Sequence, residues 1–134
     1  MATKRMLPDV VRLYNYVGEI GDVATYQETV FRCCACQYTQ GAAPEKSGRK
    51  PNGNATLFLF DAQTEAVSPE GNLRTYLPYQ QWSTLEDKGP FWTISDEGHD
   101  YFRPQNSNTK FLVTSFCHYV AGSRRMHQFE VTGN

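Results

Sequence analysis

The sequence predicts a mainly β protein: a small β-barrel or sandwich of six to seven antiparallel strands, with one short helix and a long mobile loop. Three observations carry this. Short segments along the 134 residues place apolar side chains two apart, the pattern of a half-buried strand. Strand-favouring aromatics are plentiful, with 8 Tyr, 8 Phe and 2 Trp. The 7 Pro and 10 Gly are scattered rather than periodic, as in a loop-rich β-fold.

Val10 to Val17 is the first strand, and Gly18-Glu19-Ile20-Gly21-Asp22 supplies a turn. A long second strand, Val23 to about Tyr38, carries Thr25, Tyr26, Thr29, Val30 and Phe31 and bends near Cys33-Cys34-Ala35-Cys36. Gly41 to Asn54 has breakers, three basic residues (Lys46, Arg49, Lys50) and no large apolar side chain. It reads as a mobile loop within one domain spanning 1–134, because the strands on either side are too few to stand alone. Ala55 to Asp61 is the clearest central strand, with Leu57, Phe58, Leu59 and Phe60 in a short apolar run.

A polar stretch to Gly71 leads to Leu73-Arg74-Thr75-Tyr76-Leu77. Pro78 suits the first position of a short helix, with Tyr79, Trp82 and Leu85 as its buried stripe and Gly89 as its stop. Phe91 to Ser95 and His99 to Phe102 are short strands around an Asp96-Glu97-Gly98 turn. A loop, Arg103 to Asn108, precedes a closing hairpin. Its second arm alternates, with His127, Phe129 and Val131 on one face and Met126, Gln128 and Glu130 on the other. Its first arm reads as apolar on both faces: Phe111, Val113 and Tyr119 one way, Leu112, Phe116 and Val120 the other.

A chain of this length builds one core that buries roughly two thirds of its unfolded surface. Thirteen basic and fourteen acidic residues leave a formal net charge of -1, without the basic excess of a nucleic-acid binder. The first residues carry Lys4 and Arg5 but no apolar run behind them, and no stretch reaches transmembrane length. Synthesis in a cytoplasm with the four cysteines as thiols is therefore the expectation.

No catalytic signature is present. Cys33, Cys34 and Cys36 with Cys117-His118 lack the second spaced knuckle of a structural zinc site and read as small buried thiols. Adjacent strand residues point to opposite faces, so Cys117 and His118 cannot act together as nucleophile and base. Asp96-Glu97-Gly98-His99-Asp100 has the carboxylates of a cation loop but reads as an ordinary polar turn. Arg124-Arg125 at the hairpin tip, with Lys46, Arg49 and Lys50, are basic tips suited to phosphate or to an acidic protein surface.

Several groups in order resemble a family of small proteins from tailed phages and prophages of Gram-positive bacteria. They are Val11-Arg12-Leu13-Tyr14-Asn15-Tyr16, Tyr26-Gln27-Glu28-Thr29-Val30, Ala55-Thr56-Leu57-Phe58-Leu59-Phe60, Tyr79-Gln80-Gln81-Trp82 and Phe91-Trp92-Thr93-Ile94. Asp100-Tyr101-Phe102 and the ending Gly122 to Gly133 complete the resemblance. Phe129 stands where the family pattern has a tryptophan, and the cysteine-rich bend is peculiar to this chain. The resemblance implies a virion structural subunit, encoded among head and tail genes as a minor capsid or head–tail joining component. It implies no enzyme activity, cofactor or metal.

The expected function is a head–tail connector of the head-closure or stopper type. It would form a homo-oligomeric ring between portal or adaptor and tail proteins, near packaged DNA, in a virion assembled in the host cytoplasm and without a membrane. Phe111, Val113, Phe116 and Tyr119 are the candidate apolar contacts; Lys46, Arg49, Lys50, Arg124 and Arg125 are the candidate polar ones. The alternatives are a nucleic-acid-binding barrel of the oligonucleotide-binding type, a tail terminator or minor capsid protein, and a zinc- or thiol-dependent protein.

Overall fold

A computed structural model describes residues 7–39, 54–105, 107–120, 122–123 and 127–134. In chain order these form β1 (Asp9–Ile20), β2 (Val23–Thr39), β3 (Asn54–Phe60), β4 (Glu65–Val67) and β5 (Thr75–Tyr76). One turn of helix, α1 (Tyr79–Trp82), then precedes β6 (Phe91–Trp92), β7 (Tyr101–Pro104), β8 (Phe111–Tyr119) and β9 (Gln128–Gly133). The sequence-predicted loop at Gly41 to Asn54 falls almost wholly outside the described residues.

Six strands close on themselves. β1 pairs with β7, β7 with β8, β8 with β9, β9 with β3, β3 with β2, and β2 returns to β1, every pairing antiparallel. Closure of this kind removes the exposed strand edges that invite aggregation. Among the described residues the chain is therefore a small β-barrel with one short helix.

Alternation explains the core. On β1, Val11, Leu13 and Asn15 are buried, while Arg12, Tyr14 and Tyr16 are less covered on the outer face. On β3 the inward set is Ala55, Leu57 and Leu59, and on β9 it is Phe129, Val131 and Gly133. Gly133 has no room for a side chain: a Cβ there would sit 2.8 Å from Phe102 Cε1 and 3.0 Å from the Leu112 carbonyl.

β2 serves both neighbours by bending at Cys33, where φ is +59°. As far as Cys34 it pairs with β1; from Ala35 onward it pairs with β3. Thr64 Oγ1 donates to the Cys33 carbonyl at 2.7 Å and so ties the bend to the turn after β3. Cys34 is fully buried, and its thiol donates to the Asp9 carbonyl at 3.4 Å. Burial first, and then the neighbouring Asp9 carboxylate, push the Cys34 thiol upward and that of Cys36 up to about 12. Both are protonated at neutral pH and pack as small apolar groups.

β8 departs from the expected two-faced strand. A bulge between Val113 and Ser115 inserts Thr114 as an extra residue and reverses the phase. Phe111 and Val113 point inward before it, Phe116 and His118 after it. A strand that looks apolar on both faces thus feeds a single core twice.

The segment between β3 and β7 runs along the edge of β2, where β4 pairs with Val30 to Arg32, and sends Trp92 and Ile94 into the core. Arg74 pins it there, donating from Nη1 to the Glu28 carbonyl and to Thr29 Oγ1 (2.9 Å), and from Nε to the Gly89 carbonyl (2.8 Å). β5 and β6 pair in parallel within this segment. The helix is shorter than its predicted stripe: Trp82 is buried and Leu85 half-buried, but only one turn forms.

A polar clip fastens the end of the segment to β1. Asp100 is 2 % exposed. Its Oδ1 accepts from Tyr16 N (2.8 Å), and its Oδ2 accepts from Asn15 Nδ2 (2.9 Å) and Ser95 N (3.0 Å). Asn15 Nδ2 also donates to the Thr93 carbonyl at 2.7 Å. Burial pushes the Asp100 carboxyl above the usual carboxylate range, while the N–H donors around it pull the other way.

Candidate functional site

Three surface features follow from this fold: a hairpin arm, a tyrosine face and an aromatic cavity. The arm is the far end of β1 and β2. β7 pairs with β1 only between Val11 and Tyr14, whereas the β1–β2 ladder continues to its last rung, Ile20 with Val23. Gly21 (φ +56°) and Asp22 (φ +65°) close it as a two-residue turn, with positive φ at both centres as a type I′ turn requires. The sequence reading placed the whole of Gly18 to Asp22 in the turn; Gly18 instead pairs with Thr25 beside a bulge at Val17. Four residues beyond Tyr16 span about 13 Å at roughly 3.3 Å per residue. The tip is bare, with Ile20 74 % and Val23 65 % exposed on either side of the exposed turn residues Gly21 and Asp22.

The tyrosine face is the outer surface of β1, β2 and β7. Tyr14 stacks on Tyr101 (centroids 4.6 Å apart), Tyr16 stacks on His99 (4.6 Å), and Tyr26 meets Tyr16 and Tyr101 edge-on. Cations border the rings, with Arg103 5.9 Å from the Tyr14 centroid and Lys110 4.9 Å from that of Tyr101. Glu28 sits among them, accepting from Tyr14 OH at 2.6 Å and pairing with Arg12 at 3.4 Å. Burial, and next the bond to Glu28, push the Tyr14 phenol up to about 12.

The cavity lies where β3 ends and β9 begins, under the segment that carries β4 and β5. It measures about 480 Å³, and Phe31, Leu59, Tyr76, Trp92 and Phe129 form its apolar wall. Tyr76 meets Phe129 at 4.6 Å and Trp92 at 5.0 Å, and the His118 ring lies flat on Phe129 at 3.7 Å. His118 Nε2 lies 2.8 Å from Asp61 Oδ2, within hydrogen-bonding distance. Leu73, also lining the cavity, is 75 % exposed.

The sequence-predicted contacts scatter across this structure. Phe111 and Val113 lie in the barrel's own core at 0 % and 1 % exposure, which leaves them no surface for a neighbour. Phe116 is half-buried against the same core, and Tyr119 is exposed. Lys46, Arg49, Lys50, Arg124 and Arg125 fall outside the described residues. Cys117 is exposed while His118 turns inward, as opposite faces of one strand require. Among the described residues, no group of three His, Cys, Asp or Glu side chains is placed to hold a metal ion. Asp96 and Glu97 are exposed at the turn, while Asp100 is spent on the clip.

The arm tip and the cavity residues did not stand out in the sequence. One signal was present for the arm: Gly21-Asp22 between two strand-like runs is a two-residue hairpin signature. No helix among the described residues is long and apolar enough to cross a membrane. No protein-family model, curated protein or solved structure matches the chain.

Proposed function

We propose that this chain is a self-assembling structural subunit of a tailed-phage virion, of the head–tail connector type that its sequence resembles. One observation carries the reading: six strands close into a barrel, yet β1 and β2 run on past it as an arm with bare Ile20 and Val23. An apolar tip held clear of its own core gains stability only by burial against another molecule. The mechanism is geometric, with no bond made or broken. Light scattering and electron microscopy of the purified protein, and of particles carrying it, test this. Closed rings or stable incorporation are expected; a chain that stays monomeric and is absent from particles would end the proposal.

A second reading, single-stranded nucleic-acid binding, is favoured by the four tyrosines beside Arg12, Arg103 and Lys110. Glu28 at the centre of the face opposes phosphate, and ring-on-ring stacking occupies faces that bases would need. Fluorescence anisotropy of labelled oligonucleotides over a salt series decides it, since genuine phosphate contact must weaken with salt.

A further inference from the structure

We infer that the arm of one copy seats its tip in the aromatic cavity of the next copy, a head-to-tail contact between two molecules of this chain. This rests on the assembly reading above and supplies the acceptor surface that reading lacks.

The two features are complementary in shape and polarity. The convex one presents two branched aliphatic side chains opposed across the last rung of the ladder, Ile20 and Val23. The concave one is walled by Phe31, Leu59, Tyr76, Trp92 and Phe129, with exposed Leu73 among its lining residues. Its volume of about 480 Å³ accommodates two aliphatic side chains. Aromatic walls that receive an aliphatic knob are the form of contact that concentrates binding energy at interfaces.

The contact must be between molecules. The arm is paired through Ile20 and Val23 and closed by a two-residue turn, so its tip cannot fold back onto its own barrel. Among the described residues, no hydrogen bond, ion pair or ring contact ties residues 17–25 to anything outside the arm. Charge is mixed: Arg74 in the cavity lining suits Glu19 and the turn residue Asp22, while Asp61 and Glu65 in the same lining oppose them, so the apolar match carries the contact.

Arm and cavity are different patches, so the interface is heterologous. Repetition by a fixed rotation gives a ring if the rotation closes and a filament if it does not.

A complementation experiment tests the inference. The arm variant carries Ile20→Asp with Val23→Asp, and the cavity variant carries Leu73→Arg. All three positions are exposed, so each variant is expected to keep the wild-type melting curve, which is measured first. Self-association is read by sedimentation velocity and light scattering. Each variant alone should associate at least about 30-fold more weakly than wild type, as loss of an interface hot spot predicts. A 1:1 mixture should form dimers and nothing larger, because one intact arm meets one intact cavity. If wild type assembles and both variants assemble equally well, the arm–cavity contact is wrong while the assembly reading stands. If the arm variant fails but the mixture gives no dimer, the arm engages some other surface and the inference is overturned. If wild type itself never assembles, both readings fall.

Discussion

Replacing Asp100 by Asn keeps the volume of the clip and inverts half of its chemistry. The carboxylate accepts from Tyr16 N on one oxygen and from Asn15 Nδ2 and Ser95 N on the other. An amide has one acceptor and one donor. Oriented to keep two bonds, it aims its NH2 at the Tyr16 N–H; flipped, it keeps one and confronts two donors. The better orientation leaves a buried backbone donor unsatisfied, at about 1–3 kcal/mol, and turns two charge-assisted bonds into neutral ones, at about 1 kcal/mol each. Relief from burying a charge offsets part of this, so about 2–4 kcal/mol of destabilisation is expected. For a domain of this size that corresponds to a fall in Tm of roughly 8–16 °C. Urea unfolding followed by tryptophan fluorescence at neutral pH measures it, with Asp96→Asn at the exposed turn as the control. A loss below about 0.5 kcal/mol in Asp100→Asn would refute the claim that this carboxylate fastens the 93–95 segment to β1.

The remaining predictions concern packing, backbone and pH. Gly133→Ala forces a Cβ against Phe102 and the Leu112 carbonyl, and should cost about 1–3 kcal/mol in a urea titration. Cys33→Gly should be nearly neutral, since φ is already +59°. Cys33→Val, β-branched at the same φ, should lose about 1–2 kcal/mol in the same assay. In alkali, the raised Cys36 thiol and Tyr14 phenol hold their protons in the folded chain after the unfolded chain has released them. Their contribution is complete below the unfolded values near 9 and 10 and is lost as pH rises toward 12, so Tm should fall steadily over that interval. Cys36→Ala should flatten the early part of that fall.

How much of this was legible in the sequence depends on which structures local rules determine. β3 and β9 are plain, because Leu57 to Phe60 is a short unbroken apolar run bounded by turn residues, and Phe129 and Val131 alternate with Gln128 and Glu130. The bend of β2 is also visible, as a run of small residues at Cys33-Cys34-Ala35-Cys36 inside a β-branched strand. The tyrosine face is implicit in Arg12-Leu13-Tyr14-Asn15-Tyr16, once Leu13 and Asn15 are known to face inward. The clip is not legible. Asn15 and Asp100 are 85 positions apart, and nothing local distinguishes a buried Asp in a polar turn from a solvated one. The cavity is equally hidden, since Asp61, Tyr76, Trp92, His118 and Phe129 come from five separate segments. The two-faced look of β8 has a different cause: strict period two assumes no inserted residue, and one is present after Val113.

That inserted residue links fold to surface. Were Thr114 a regular strand residue and not a bulge, the phase of Phe111 and Val113 would carry Ser115, Cys117 and Tyr119 inward and turn Phe116 and His118 to solvent. With the bulge, Phe116 returns to the core, and His118 stacks on Phe129 and meets Asp61 at the cavity. The extra residue on β1, Val17, acts in the same way. The rungs Tyr16–Tyr26 and Gly18–Thr25 lie on either side of it, so the tip pair Ile20–Val23 falls on the face opposite the tyrosines. One bulge thus builds the concave surface and another aims the convex one. Both are changes of phase that leave hydrophobic composition untouched, which is why composition alone points to an ordinary β-barrel while the register gives it two complementary ends.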